Sequence, residues 1–183
     1  MIKQKIFTKQ VHLVKRVGLI PMAGKGNRFR EYGYRVPKPL IQINNHPMVL
    51  KTIGSIPEQD QWIFLPRKED VDRYPIEQAL RSFRDDCTIH PVHELTSGQA
   101  ATCMLAEVQI DDDAELMIAS ADYEHRYNPD KWQKVLEDVT VDGAIWTYRS
   151  GSMVLKDPEI FAYCRVNKDG ITVTRVVEKE TIS

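Results

Sequence analysis

The sequence predicts an α/β protein in which helices cover both faces of a mainly parallel β-sheet. Three observations predict this class: short strands that are apolar on both faces, strands alternating with helical segments, and a composition typical of globular proteins. The chain has 183 residues, of which 42% are hydrophobic and 28% charged. A chain of this length suits one domain with one sizeable hydrophobic core.

The first strong strand signal is the apolar run over residues 17–22, which leads into a long glycine-containing loop. Residues 1–16 alternate only weakly and are predicted to be an N-terminal extension or an edge strand, so the predicted domain covers 17–183. The strands predicted after the loop cover 40–43, 61–65, 87–93, 115–120, 143–148, 160–166 and 171–177. The predicted helices cover 46–55, 68–84 with a break at Pro75, 98–108 and 128–138. In sheets of this kind, ligands bind at the carboxyl ends of the strands.

Charge and cysteine content argue against several classes of function. The chain has 25 Lys and Arg against 26 Asp and Glu, so it has no overall basic field to attract nucleic acid or an anionic membrane. The cysteines Cys87, Cys103 and Cys164 form no Cys-x-x-Cys pair, which disfavours a disulfide framework or a zinc site. No apolar run has the length of a secretory signal or a membrane span. We therefore expect a cytoplasmic protein without nucleic-acid or membrane partners.

The loop after the first strand has the sequence Ala-Gly-Lys-Gly-Asn-Arg over residues 23–28. Two glycines allow a ligand to approach the backbone closely, and two cations suit phosphate oxygens. The loop is not a dinucleotide fingerprint, because Phe29 replaces the third glycine, and it lacks the Gly-Lys-Ser/Thr of a P-loop. By itself such a loop is also compatible with a tight structural turn.

A second motif, Val-Pro-Lys-Pro-Leu over residues 36–40, places Lys38 between two prolines. Proline restricts its own backbone and that of the preceding residue, so we expect an extended segment that aims the Lys38 ammonium at little entropic cost. A rigidly presented ammonium suits an anionic ligand.

The combination of residues 24–28 with residues 37–40 resembles the signature of nucleotidyltransferases that join a nucleoside triphosphate to a sugar phosphate or a similar ester. Residues 41–48, 96–102, 118–122 and 177–179 resemble later segments of that family in the same order. The resemblance implies a three-layer α/β/α, Rossmann-like nucleotide-diphospho-sugar transferase fold with a mostly parallel mixed sheet. It ends shortly after Val177-Glu178-Lys179, so we expect the C-terminal part of the family fold, with its second metal-binding Asp, to be missing.

The resemblance implies a role for each matching residue. Arg28 and Lys38 are the expected catalytic residues, because attack on the α-phosphorus brings anions together and needs cations to stabilise the transition state. Asp122, at the end of a predicted strand, is expected to bind Mg²⁺. Glu178 and Lys179 are expected to contact the acceptor. Nucleotide contacts are expected from Ala23, Gly24, Lys25, Gly26, Asn27, Thr96, Gly98 and Gln99.

We therefore expect an enzyme that transfers a nucleoside monophosphate to a phosphorylated small molecule and releases pyrophosphate, for activated-sugar or cell-surface glycan synthesis. The partners are then a nucleoside triphosphate and its acceptor, and a homo-oligomer is possible. Two other functions stay open: a truncated, non-catalytic nucleotide-binding domain, and a nucleotide-sugar-dependent glycosyltransferase with Asp122 and Glu124 near its metal. For Thr96, Gly98 and Gln99 the structural alternative is a helix cap, and for Asp122 it is a loop cap.

Overall fold

The computed structural model of the chain describes residues 14–148, 161–178 and 180. These residues fall into two compact units, which divide between Tyr127 and Asn128. Most of the predicted N-terminal extension, residues 1–13, lies outside the described residues, as does Lys179. No helix among the described residues is long and apolar enough to cross a membrane.

In residues 14–127, the structure describes six strands and five α-helices. The strands are β1 (Arg16–Met22), β2 (Gln42–Ile43), β3 (His46–Pro47), β4 (Gln61–Pro66), β5 (Thr88–Ile89) and β6 (Glu115–Ile118). The helices are α1 (Asn27–Glu31), α2 (Met48–Ile53), α3 (Lys68–Arg73), α4 (Ile76–Phe83) and α5 (Gln99–Met104). Short 3₁₀ turns cover Lys38–Leu40 and Glu107–Gln109. The second unit contains α6 (Pro129–Glu137), β7 (Ala162–Val166) and β8 (Val173–Glu178).

Four strands of the first unit form a parallel sheet in the order β5-β4-β1-β6. The central strand β1 pairs with β4 along its length, from Val17 opposite Gln61 to Met22 opposite Pro66. On its other side β1 pairs with β6, from Arg16 opposite Glu115 to Leu19 opposite Ile118. The chain therefore extends the sheet in one direction through β4 and β5, and then returns to add β6 beside β1. Such a reversal opens a crevice at the carboxyl ends of the two strands, where ligands bind.

The core of this unit lies on both faces of the sheet, because side chains alternate along each strand. One face packs under α2 and α4 through residues of β1, β4 and the two helices: Ile20, Met22, Trp62, Phe64, Val49, Ile53, Ile76 and Leu80. The other face packs under α5 and the turn after it: Val17, Leu19, Ile63, Leu65, Cys103 and Ala106. A helical layer on each face of a parallel sheet confirms the predicted three-layer α/β/α class.

The predicted helix over 46–55 is shorter in the structure and begins later. His46–Pro47 pairs with Gln42–Ile43 as a two-residue hairpin, and α2 starts at Met48, with Pro47 as its N-cap. Asn44 and Asn45 form the turn of this hairpin, and both residues have left-handed φ angles, 51° and 64°. Asparagine tolerates this conformation, and such two-residue turns match the twist of antiparallel strands. Pro47, which the sequence predicts in the first turn of the helix, therefore belongs to the hairpin.

The strand predicted over 143–148 is not formed in the structure. Its Trp146 ring instead lies 5.2 Å from the Trp132 ring of α6, so its apolar side chain packs on a helix. The predicted break at Pro75 is confirmed, because α3 ends at Arg73 and α4 begins at Ile76. The strands predicted over 160–166 and 171–177 are formed as β7 and β8, which pair as an antiparallel hairpin. Its turn is closed by the Gly170 N–H, which donates to the Asn167 carbonyl at 2.9 Å.

Gly18→Ala is expected to destabilise the protein by about 2 kcal/mol through overpacking of the core. A Cβ at this position of β1 would lie 2.7 Å from Cε3 of Trp62, and Trp62 is buried. The urea midpoint of unfolding measures the effect, with Gly143→Ala as the control, because a Cβ at Gly143 meets no atom within 4 Å. Equal midpoints for the two variants would contradict the close contact.

Candidate functional site

The glycine loop begins where β1 leaves the sheet. Met22 and Ala23 are buried, whereas Gly24 and Lys25 are exposed. Gly26 has a φ of 63°, a left-handed conformation that favours glycine, and its carbonyl accepts a 3.0 Å hydrogen bond from the Phe29 N–H. A Cβ at Gly24 would meet no atom within 4 Å, so the backbone there is open on that side.

The short helix α1 follows this turn, whereas the sequence predicts continued loop. Five residues, none of them buried, carry too little periodicity for a helix to be predicted. The helix places Arg28 at the surface and turns the Phe29 ring toward Lys38. Phe29 therefore belongs to the site, although its position in the sequence indicates only that the loop is not a dinucleotide motif.

Lys38 is held by a turn rather than by the extended segment that its prolines predict. Pro37 is extended, with φ −56° and ψ 144°, but Lys38–Leu40 is a 3₁₀ turn. The turn is closed by the Leu40 N–H, which donates to the Pro37 carbonyl at 2.9 Å. Pro37, Pro39 and Leu40 are buried around Lys38, so its backbone is anchored in the core while its side chain reaches outward. Lys38 is therefore firmly anchored, as expected, but by a 3₁₀ turn and not by an extended backbone.

Lys38 and Asp122 are 84 residues apart in sequence, and the fold brings them into contact. The Lys38 ammonium donates a hydrogen bond to Oδ2 of Asp122. The same Nζ lies 5.1 Å from the centre of the Phe29 ring, within range of a cation–π interaction. The Lys38 and Asp122 side chains are 26% and 23% exposed, so water screens the ion pair only in part.

Asp122 follows the carboxyl end of β6. Past the last residue of that strand, the Ala119 N–H donates to the Leu19 carbonyl of β1 at 3.2 Å, and Ala119 and Ala121 are buried. The chain thus leaves the sheet beside the glycine loop that follows β1. Asp122 therefore lies where the strand order reverses, beyond the carboxyl end of β6. In parallel sheets, ligands bind at this position.

These residues line a cleft of about 510 Å³ at the carboxyl edge of the sheet. The cleft brings together the predicted residues of the first unit: Ala23, Gly24, Lys25, Gly26, Asn27, Arg28, Lys38, Thr96, Gly98, Gln99 and Asp122. It also includes residues that the sequence analysis did not select, such as Phe29, Leu95, Thr102 and Ser120. Among its described lining residues, three cationic side chains face one carboxylate. The cleft is therefore locally positive in a chain whose net charge is −1.

Thr96, Gly98 and Gln99 lie at the start of α5. The Thr96 hydroxyl donates to the Gly98 carbonyl at 3.0 Å and lies 2.6 Å from the Thr102 hydroxyl. The Thr102 hydroxyl donates to the same carbonyl at 3.1 Å. The two hydroxyls thus brace the loop before α5, but no side chain caps the N-terminus of this helix, so the predicted cap is not formed. The exposed Gln99 lines the cleft. A Cβ at Gly98 would meet no atom within 4 Å, so this position also offers open backbone.

Two other sets of residues bear on the sequence predictions, the buried cysteines and the proposed acceptor residues. Burial raises the pKa of both the Cys87 and the Cys103 thiols, so neither is a ready thiolate nucleophile at neutral pH. Glu178 is the last residue of β8 in the second unit. The predicted acceptor contact of Lys179 falls on a residue that the structure does not describe.

The fold is a Rossmann-like α/β/α sandwich, as the sequence predicts. No model of a protein family matches the sequence, and a comparison with curated protein sequences finds no match. Solved structures do resemble the chain. One is a nucleoside-diphosphate-sugar pyrophosphorylase from Vibrio cholerae, with a TM-score of 0.65 and 21% identity over 91% of this chain and 68% of that chain.

Two further structures share the fold. A UDP-glucose pyrophosphorylase complexed with UDP-glucose has a TM-score of 0.61 and 17% identity, over 91% of this chain and 70% of that chain. A nucleotidyl transferase from Methanothermobacter has a TM-score of 0.52 and 18% identity, over 67% of this chain and 57% of that chain. The chain thus spans between 57% and 70% of the lengths of these three proteins. At these identities the likeness establishes the common fold.

Proposed function

We propose that this protein is a nucleotidyltransferase, which transfers a nucleoside monophosphate from a nucleoside triphosphate to a phosphorylated small molecule and releases pyrophosphate. The observation that carries the proposal is the cleft at the reversal of strand order. Lys25, Arg28 and Lys38 line it together with Asp122 and the open backbone of Gly24. A concentration of cations beside exposed backbone N–H groups suits a triphosphate.

The chemistry follows from the charges in the cleft. An oxygen of the acceptor phosphate attacks the α-phosphorus, the bond from that phosphorus to the bridging oxygen breaks, and pyrophosphate leaves with the bonding electrons. Both reactants are anions, so the cations Arg28 and Lys38 offset their repulsion and stabilise charge in the transition state. Lys25 and the backbone of Gly24 and Gly26 hold the remaining phosphates. The side chains in the cleft need form no covalent intermediate.

Asp122 is the residue proposed to hold Mg²⁺. Among the residues that the structure describes, no three His, Cys, Asp or Glu side chains lie together as a metal-binding group. One carboxylate fits Mg²⁺ in a nucleotide site, because this ion commonly takes one or two protein carboxylates and completes its shell with phosphate oxygens and water. When bound, Mg²⁺ neutralises phosphate charge.

For the acceptor we propose a sugar phosphate or a similar ester, which would make the product an activated sugar for glycan assembly. The resemblance of the sequence motifs and the names of the two pyrophosphorylases that share the fold support this class. Glu178 and Lys179 are proposed to contact the acceptor. We also propose that the protein is cytoplasmic and forms a homo-oligomer.

The first test is nucleotide binding. A ligand that binds only the native state raises the melting temperature, and the shift grows with its affinity and concentration. We expect one of CTP, UTP, dTTP, GTP and ATP to raise it by several degrees, and to do so more strongly with Mg²⁺. The matched control is Arg28→Gln, which removes a cleft cation and should reduce the shift. No shift with any of the five nucleotides would contradict the proposal.

The second test is turnover. The nucleotide that binds is incubated with a panel of sugar and polyol phosphates, and pyrophosphate is measured by a coupled assay. Pyrophosphate that appears only with a phosphorylated acceptor supports the transferase. Nucleotide binding without pyrophosphate release would favour the non-catalytic nucleotide-binding domain. Hydrolysis of a nucleotide sugar instead would favour a glycosyltransferase.

A further inference from the structure

The Lys38 ammonium donates a hydrogen bond to Asp122, the carboxylate that would hold the metal ion in the proposed function. We propose, on the basis of that function, that Lys38 and the metal ion compete for Asp122. The metal ion then binds well only when a nucleotide draws Lys38 away. Lys38 has two roles in this proposal: it occupies the metal site before the nucleotide arrives, and it binds phosphate afterwards.

Competition follows from the position of the charges. Asp122 is the one acidic side chain among the described residues that line the cleft. A divalent cation bound at its carboxylate would lie beside the Lys38 ammonium, and two like charges at contact repel each other strongly in a site only partly open to water. The Lys38 ammonium must therefore move before a metal ion can bind Asp122 tightly.

The structure gives Lys38 a way to move without rearranging the fold. Its backbone is anchored by the buried neighbours Pro37, Pro39 and Leu40, so displacement needs only rotation of the side chain. Phe29 presents its ring 5.1 Å from the ammonium, and Tyr34 holds that ring in an edge contact at 5.8 Å. The aromatic face attracts the cation and keeps it inside the cleft after it leaves Asp122.

A triphosphate supplies the force for this movement. Phosphates in the glycine loop offer Lys38 a partner with more negative charge than one carboxylate. Its departure frees Asp122 for the metal ion that accompanies the phosphates. Because coupling between two ligands is reciprocal, a metal ion already at Asp122 would also favour nucleotide binding. The pair therefore makes the binding of nucleotide and metal cooperative, with little metal bound in the absence of nucleotide.

The test measures the binding of Mn²⁺ in the absence of nucleotide. Electron paramagnetic resonance of the free ion monitors the binding. Mn²⁺ shares the oxygen preference of Mg²⁺. We expect weak binding to the wild-type protein and binding at least about tenfold tighter to Lys38→Met, which keeps the length of the side chain but removes the charge. Lys25→Met is the matched control, since it removes one charge from the same cleft without touching Asp122, and should gain less than about threefold.

Three results would overturn the proposal: no gain in Lys38→Met, an equal gain in Lys25→Met, or a gain that persists in the double variant Lys38→Met/Asp122→Asn. Lys38→Gln is the second variant, and circular dichroism verifies that each protein is folded. The measurement uses no nucleotide, so its outcome does not depend on turnover. If the wild-type protein releases pyrophosphate but Lys38→Met binds Mn²⁺ no more tightly, the proposed competition is wrong and the proposed function stands. If Lys38→Met binds Mn²⁺ more tightly but the protein binds no nucleotide, the proposed function is wrong and the competition stands.

Discussion

Lys38→Met is expected to lower the rate of pyrophosphate release by about a thousandfold, an effect typical of removing a preorganised group that stabilises transition-state charge. The structure makes Lys38 the cation best placed for this role. Its backbone neighbours are buried, its ammonium contacts Asp122 and lies 5.1 Å from the centre of the Phe29 ring, and its side chain lines the cleft. Steady-state kinetics with the nucleotide that binds and its acceptor measures kcat and kcat/KM.

The melting temperature separates this loss from unfolding. Ion pairs that are partly exposed contribute at most about 1 kcal/mol, so Lys38→Met should melt close to the wild-type temperature. The matched control is Lys25→Met, whose exposed cation contributes to phosphate binding and should mainly raise KM, by about tenfold. Equal kcat values for wild type and Lys38→Met would remove Lys38 from the mechanism.

Asp122→Asn is expected to change turnover and nucleotide binding in opposite directions, depending on the metal. With Mg²⁺ present, pyrophosphate release should fall by about a thousandfold, because the proposed metal ligand loses its charge. In EDTA, the variant should bind the nucleotide about fivefold more tightly than the wild type. The carboxylate both repels phosphate and holds Lys38, so its neutralisation removes two obstacles at once.

Isothermal titration with the nucleotide, in EDTA and in Mg²⁺, measures this reversal. Asn has nearly the same shape as Asp, so the substitution adds no bulk next to the buried Ala121. The gain in EDTA should shrink in the Lys38→Met background, where no ammonium remains to be released. Weaker nucleotide binding by Asp122→Asn in EDTA would contradict the direct role of the Lys38–Asp122 pair.

Much of the fold can be predicted from local patterns. The apolar runs that became β1 and β4 are short and hydrophobic on both faces, which is typical of buried parallel strands. The strand predicted over 143–148 is not formed, and all six residues are exposed in the structure. An apolar run predicts burial, but it does not specify a strand to pair with. Trp146 is packed against Trp132 of α6, and no periodicity distinguishes that contact from a sheet. Helix α1 was not predicted because its five residues, none of them buried, show almost no hydrophobic periodicity.

The sequence by itself determined the α/β class and the local chemistry of the glycine loop and the Pro-Lys-Pro segment, since residue type and short-range spacing suffice for both. Only the tertiary structure decided that Lys38 contacts Asp122 and faces Phe29. These contacts depend on β6 pairing with β1 after β4 and β5 have extended the sheet on the other side. Strand order is a long-range property, set by how the whole core packs, and local sequence patterns do not encode which strand ends become neighbours.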